Sequence, residues 1–294
     1  MPPADPRDPY FDANRASWDE RVPIHVASRG YNREGFLRGE KLLCPVEMAE
    51  VGDVTGKTLL HLQCHFGMDT LNWARLGASV TGIDFSEPAI EAASALSRDS
   101  GIPGRFLLGN VYDAPRFLDE RFDIVYTGIG ALNWLPDIRG WARVAAGFVK
   151  PGGFLYLYEG HPMLWSIDDE RDDQLLVVAY PYFERNEPNA WDNDTTYVDG
   201  PPLGHTTRTY EWNHGLGEIV TAIIDAGLRL EFLHEHREIP WQALPWMEPA
   251  EGASEAVDGD LAAARYNSRH LWRLPEDHRD LVPLMYSLKA VRLA

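Results

Sequence analysis

The sequence predicts an α/β protein built on a doubly wound, mostly parallel sheet. Three observations carry that expectation. Short apolar runs and helical segments alternate at even spacing across residues 57–160, the rhythm of successive βαβ units. The helical segments between them carry start and stop signals. The chain has 294 residues with an apolar fraction of 45%, enough to bury a sizeable core in one large α/β domain.

The elements follow in order. Residues 1–12 are rich in Pro and Asp and read as loose. From Asn14 to about Glu50, patches such as RASWDERV and REGFLRGEKLLCPVEMAEV are helical but irregular. TLLHLQ is a short apolar strand, and GMDTLNWARLG a helix with apolar residues at helical spacing and a closing Gly. SVTGIDF is a second strand. EPAIEAASALSRDSG is a helix with Ser86 as N-cap, Pro88 in the first turn and Gly101 at its end. RFLLGN and RFDIVYTG are the third and fourth strands. IRGWARVAAGFVKPGG is a helix stopped by Pro-Gly-Gly, and FLYLYEG is the fifth strand.

Residues 161–208 break the rhythm and read as an insertion holding a strand or two. EWNHGLGEIVTAIIDAGLRLEFLHEH restores helix then strand. Residues 240–280 are irregular, and LVPLMYSLKAVRLA is a last strand, expected to form a hairpin with its predecessor at the sheet edge. The division expected is one domain over 1–294: an N-terminal helical cap (1–55), a binding core (56–160), an inserted lid (161–208) and the C-terminal part of the sheet (209–294).

Charge and composition narrow the function. A formal net charge of −18 argues against a nucleic-acid partner, which calls for basic stripes. No apolar run approaches the roughly 20 residues of a membrane span, and the N-terminal stretch lacks the apolar core of a secretory signal. Cys44 and Cys64 are too few for a disulfide framework. A soluble, cytoplasmic protein is expected, with a homodimer left open.

The stretch LLHLQCHFGMDT brings two histidines, a cysteine and an aspartate together. His61 and His65 are four apart, but the segment reads as a strand entering a turn, so that spacing does not align them, and no second cluster follows at zinc spacing. No metal site is expected. In an open α/β sheet, ligand binds beyond the carboxyl ends of the strands, and this turn lies there.

From Gly56 to about His161 the chain resembles the class I S-adenosylmethionine-dependent methyltransferases, in a bacterial small-molecule branch whose first loop reads LHLQCHFG. The likeness extends through YEWNHGLGEIVTAIIDAGLRLEFLHEH and PLMYSLKA to most of the chain. It implies a Rossmann-like sheet of seven strands and S-adenosyl-L-methionine as cofactor. Against the common pattern LDLGCGTG, Gln63 and His65 stand where glycines usually do, His61 at the common acidic position, and Gly67 keeps the last glycine.

The resemblance assigns the cofactor residues. Asp84, ending the second strand, accepts both ribose hydroxyls, or else caps the helix that follows. Phe85 packs on the adenine, Asn110 meets its amino group and Val111 offers a backbone N–H. Gly128 and Ile129 line the floor near the methyl, and Gln63, His65 and Gly67 surround the amino acid tail. Trp18 and His25 of the cap close over the cofactor. Tyr31, Asn133, Trp134 and Trp165 wall an acceptor pocket, and ten tryptophans favour an apolar or aromatic small-molecule acceptor. Glu159 and His161, at the end of the fifth strand, are the candidate catalytic residues, with Glu159 alternatively a carboxylate satisfied by backbone N–H groups. Nicotinamide chemistry on the same fold is disfavoured because Gln63 and His65 crowd the place of a pyrophosphate. A non-catalytic binding or regulatory protein with a degenerate loop is the remaining alternative. The acceptor atom is not legible.

Overall fold

The computed structural model describes residues 7–250 and 271–294. Residues 1–6 and 251–270, on which the expectations of a loose N-terminus and an irregular 240–280 segment partly fall, lie outside the described residues.

The predicted alternation is present, element for element. Strands β1 (Thr58–Leu62), β2 (Ser79–Asp84), β3 (Arg105–Leu108), β4 (Phe122–Thr127) and β5 (Val149–Gly160) are separated by α4 (Met68–Arg75), α5 (Glu87–Ser100), a short 3₁₀ segment (Val111–Arg116) and α6 (Ile138–Phe148). Ahead of them lie α1 (Asp8–Ala27), α2 (Arg33–Leu37) and α3 (Pro45–Val51). The 20-residue helix α1 begins at Asp8, so residues 8–12 are helical and not loose, and it runs through Pro23. Ser86 caps α5 by accepting the Ala89 N–H, and Gly101 closes it in the left-handed conformation, as the cap signals require.

After β5 the insertion contributes β6 (Asn189–Asp192) and β7 (Arg208–Glu211), an antiparallel pair. Helix α7 (Leu216–Asp225) and strand β8 (Arg229–His236) follow. A small sheet of β9 (Glu238–Ile239), β10 (Glu248–Pro249) and β11 (Trp272–Arg273) precedes β12 (Met285–Val291).

The main sheet has seven strands in the order β3-β2-β1-β4-β5-β12-β8. β1 to β5 pair in parallel, and β12 runs antiparallel to both neighbours. The last two strands do pair at the edge, but not as a hairpin. β12 slots between β5 and β8, and the connection between them holds the three-stranded sheet. The order reverses between β1 and β4, which places a crevice at their carboxyl ends.

One core layer packs α6 and α7 on Leu60, Leu62, Val125, Leu155 and Leu157. The opposite face, with Leu59, Ile124 and the buried Trp73, Tyr126, Tyr156 and Tyr158, is covered by α3, α4 and the small sheet. A third cluster, Tyr31, Phe36, Leu42, Phe66, Met68, Leu71 and Leu96, fastens the cap to the loop after β1.

The tyrosine-rich face carries a buried carboxyl. Glu47 of α3 accepts the Tyr126 hydroxyl at 2.5 Å and the Cys44 N–H at 3.1 Å. Burial, with Asp69 nearby, pushes its pKa up from 4.5 to about 8. A carboxyl raised in the folded state contributes stability that is present at low pH and lost as pH rises through the folded value. Glu47→Gln removes that loss. The variant is expected to gain on wild type between pH 5 and pH 9 by up to about 1.4 kcal/mol per unit across the shifted window. Urea unfolding of both proteins at the two pH values checks it, and a constant difference would contradict it.

Candidate active site

The crevice predicted by the strand order is a cavity of about 340 Å³ at the carboxyl ends of β1, β2 and β4. Its walls come from the loop after β1, the ends of β2 and β3, the loop after β4, and outer pieces that include α1, the turn at Trp165, the segment at Trp241, and β7.

The loop after β1 answers what its bulky residues do. Gln63 has φ 59° and His65 φ 51°. Both keep the left-handed backbone that glycine usually supplies, at a cost of about 1–3 kcal/mol each. Their side chains return part of that cost. The Gln63 amide donates to the Ala131 carbonyl at 2.8 Å, tying the loop after β1 to the loop after β4. The His65 ring nitrogen lies 2.9 Å from His25 Nδ1, and the ring packs among Trp18, Tyr31 and Phe66. Gly67 has φ 74°, and a Cβ there would stand 2.6 Å from the Phe106 ring and 2.7 Å from Ala93. The retained glycine thus serves close packing as the helix opens.

Asp84 ends β2 facing the cavity. One carboxylate oxygen accepts the His65 N–H at 2.8 Å and the other the Ser86 N–H at 2.9 Å, and the Phe85 N–H also points at the carboxylate. Burial raises its pKa to about 6, against these backbone donors. Phe85, Asn110, Val111, Gly128, Ile129, Tyr31, Asn133, Trp134, Trp18 and Trp165 line the same cavity. Asn110 is not free to use its oxygen alone on a ligand, since that oxygen already accepts the Tyr112 N–H at 3.0 Å. Gly160 makes room for Trp165, because a Cβ there would stand 2.6 Å from the indole.

Three expected site residues lie elsewhere. His25 is fully buried behind the wall, bridging His65 and Thr196 Oγ1 (2.7 Å). It supports the loop instead of lining the cavity. Glu159 does not reach the cavity either. Its oxygens accept N–H groups of Gly130 (2.6 Å), Ala131 (2.7 Å), Leu132 (3.1 Å) and Gly160 (2.8 Å). This is the backbone-satisfied carboxylate, and it shapes the loop that holds Gly128. His161 is turned away from the crevice: its Nδ1 accepts the Met163 N–H at 3.0 Å, and its Nε2 lies 3.0 Å from Glu235. Burial lowers its pKa although Glu235 opposes that.

The cavity also holds residues that the sequence reading did not assign to the site. Arg21, one helical turn after Trp18, is buried with its guanidinium 5.5 Å and 5.7 Å from the Trp18 and Trp134 ring centres. Its Nε has no hydrogen-bond partner. The helical spacing from Trp18 was the available signal. His61 lines the wall with Nδ1 on Thr70 Oγ1 at 2.8 Å, and burial depresses its pKa to about 3. Asp69, Tyr197, Trp241 and Glu211 complete the list that matters. Glu211 sits in the quoted YEWNHG stretch, but nothing in its spacing marks it. Among the described residues no group of three or more His, Cys, Asp or Glu could hold a metal ion.

A family model described as a methyltransferase domain matches residues 60–157. The ubiquinone biosynthesis O-methyltransferase of Proteus mirabilis (strain HI4320) is 30% identical over 135 residues, 45% of this chain and 55% of that protein. The protein of the same name from Methylobacterium sp. (strain 4-46) is 30% identical over 147 residues, 47% and 56% of the two chains. The chain thus spans about half the length of the curated relatives it matches. Among solved structures, an S-adenosylmethionine-dependent methyltransferase from Mesorhizobium loti aligns with TM-score 0.54 at 18% identity, over 87% of this chain and 100% of that one. Another from Clostridium acetobutylicum ATCC 824 aligns with TM-score 0.53 at 12% identity, over 90% and 92%. These likenesses show the fold. A methyltransferase domain thus spans residues 60–157 on a fold shared with S-adenosylmethionine-dependent methyltransferases.

Proposed function

We propose that the protein transfers a methyl group from S-adenosylmethionine to a small-molecule acceptor with an apolar or aromatic body. The observation that carries the reading is Asp84, a buried carboxylate lining the cavity at the switch point of the sheet.

The residues fit the adenosyl sulfonium. Asp84 supplies two acceptors for the ribose hydroxyls, with Phe85, Asn110 and Val111 beside it for the adenine. Among the described residues, the buried polar atoms without a partner include Gln63 Oε1 and Arg21 Nε on the cavity wall. An amino acid tail brings an ammonium donor for the first and a carboxylate for the second. When bound, the cofactor supplies an electrophilic methyl carbon. Gly128, whose Cβ would stand 3.1 Å from the Tyr126 hydroxyl, allows close approach. Trp18, Trp134, Trp165 and Trp241 enclose the space and exclude water, so alignment of the acceptor is the protein's main contribution.

The acceptor reading rests on these four indoles and on the cavity's size, which suits a small molecule. The net charge of −18 speaks against a polyanionic acceptor, and among the described residues no helix is long and apolar enough to cross a membrane. We place the protein in the cytoplasm. The relatives' name makes oxygen the first acceptor atom to test.

Calorimetry with S-adenosylmethionine and S-adenosylhomocysteine tests the donor site. Both are expected to bind in the micromolar range, about −8 kcal/mol, while NADH does not. Binding of neither adenosyl compound would leave only a non-catalytic role, and binding of NADH alone would favour redox chemistry. A screen of small-molecule cell extracts with methyl-labelled donor then identifies the acceptor.

A further inference from the structure

We propose that Glu211 accepts the proton of the acceptor's nucleophile, and that the acceptor therefore carries an O–H or N–H on a planar apolar body. This rests on the methyl-transfer reading above. The geometry begins with how firmly Glu211 is held. On one side of it, Tyr210 exchanges two hydrogen bonds with Asn14 of α1, at 2.7 and 2.8 Å. On the other side, the Trp212 N–H donates to the Asn133 carbonyl at 2.8 Å. The inserted hairpin is thereby clamped between the cap and the loop after β4. That loop begins at Gly128 and is itself fixed by Glu159. Glu211 lines the cavity on the side of Asn133 and Trp134.

The other titratable groups on the wall are committed or unsuited. Asp84 holds two backbone N–H groups and faces the ribose position. Asp69, whose pKa burial raises to about 6, stands in the first turn of α4 beside the loop after β1, away from the acceptor side. His61 has one nitrogen on Thr70, and its depressed basicity makes it a poor proton acceptor. Tyr197 shares a hydrogen bond with Tyr31 at 2.5 Å. Glu211 faces Arg21 from α1, Asn133 from the loop after β4, Trp191 from β6 and, farther off, Asp169 from the insertion. Burial pushes its pKa up from 4.5 to about 7, with the Asn133 and Trp191 groups and the Arg21 charge pulling it back. The residue is half-buried and lines the cavity. A carboxylate poised near neutral pH is matched to general-base work. The indole walls at hand, Trp165 stacked on Trp241 at 5.9 Å and Trp18 against Trp134 at 5.3 Å, suit a flat ring.

The step balances. The acceptor's lone pair forms the bond to the methyl carbon while the carbon–sulfur bond breaks and its pair goes to sulfur. The proton released by the acceptor goes to a Glu211 oxygen and then to water.

The test uses the full-length protein and the Glu211→Gln and Glu211→Asp variants. S-adenosylhomocysteine should still bind all three, which shows that the variants are folded; if wild type binds none, the methyl-transfer reading fails, separately from this one. A panel of simple phenols and aromatic amines with methyl-labelled donor should be turned over at least 100-fold more slowly by Glu211→Gln, in line with the usual range for general bases. Glu211→Asp should recover part of the rate. Wild-type kcat/KM should fall as pH drops below about 7, and the Gln variant should lack that limb. A second readout needs no turnover. 4-Nitrophenol bound beside S-adenosylhomocysteine should keep its proton to higher pH in wild type than in Glu211→Gln, read from its phenolate absorbance. Wild-type turnover in Glu211→Gln, an identical nitrophenol titration in both proteins, or a wild type that binds S-adenosylhomocysteine but methylates nothing in the panel would each overturn the proposal.

Discussion

Asp84→Ala is expected to weaken S-adenosylhomocysteine binding by about 2–3 kcal/mol, or roughly 30- to 150-fold. Two hydrogen bonds from ribose hydroxyls to a carboxylate vanish together, and charge-assisted bonds are the stronger kind. A second consequence follows from the same residue. The His65 and Ser86 N–H groups lose their acceptor, so the strained loop after β1 loosens and adds to the loss. The pH dependence separates Asp84 from a general weakening. Only the ionised carboxylate accepts from both hydroxyls, and its pKa in the folded protein stands at about 6. Wild-type affinity should therefore fall as pH drops below about 6, approaching tenfold per unit, while the Ala variant shows no such fall from this position. Calorimetry from pH 5 to pH 8 measures both. Equal affinity in the two proteins at pH 7.5 would remove Asp84 from the ribose.

The strands and helices that carry this site were legible because each depends on local signals. The apolar run TLLHLQ, the Ser86 cap and the Gly101 stop act within a few residues of themselves, and the structure keeps them all. Asp84 was legible for the same reason, since a carboxylate at the end of the second strand of such a sheet faces the crevice wherever the chain goes next. The residues that sequence reasoning missed or misplaced depend on contacts far apart in the chain. Arg21 and Glu211 meet across 190 positions, and no periodicity links α1 to an inserted hairpin. His161 follows the fifth strand, as an acceptor-binding residue would, yet β12 and β8 beside that strand draw it toward Glu235. The loop after β1 shows the limit from the other side. Gln63 and His65 look like departures from a glycine turn, but the backbone kept the glycine conformation, and distant partners, Ala131 and His25, hold it there.

Glu159→Ala should be the most damaging single change to the folded protein, costing about 3–5 kcal/mol of stability. The reason is arithmetic on hydrogen bonds. Four backbone N–H groups, those of Gly130, Ala131, Leu132 and Gly160, use this carboxylate, and the residue is 3% exposed. Each orphaned buried donor costs about 1–3 kcal/mol, offset in part because the desolvated charge disappears too. Burial raises the pKa of Glu159 while those four donors oppose the rise, so the carboxylate and the turn around it stabilise each other. Glu159→Gln should fall between the two, since an amide keeps one acceptor oxygen and turns an NH₂ toward N–H groups. The loop so loosened carries Gly128, Ile129 and Asn133 and receives the Gln63 amide at Ala131, so donor affinity should fall with stability. Urea unfolding alongside S-adenosylhomocysteine titration distinguishes this role from chemistry. A structural Glu159 loses stability and affinity together, whereas a variant that folds and binds as wild type but fails in turnover would return Glu159 to the reacting atoms.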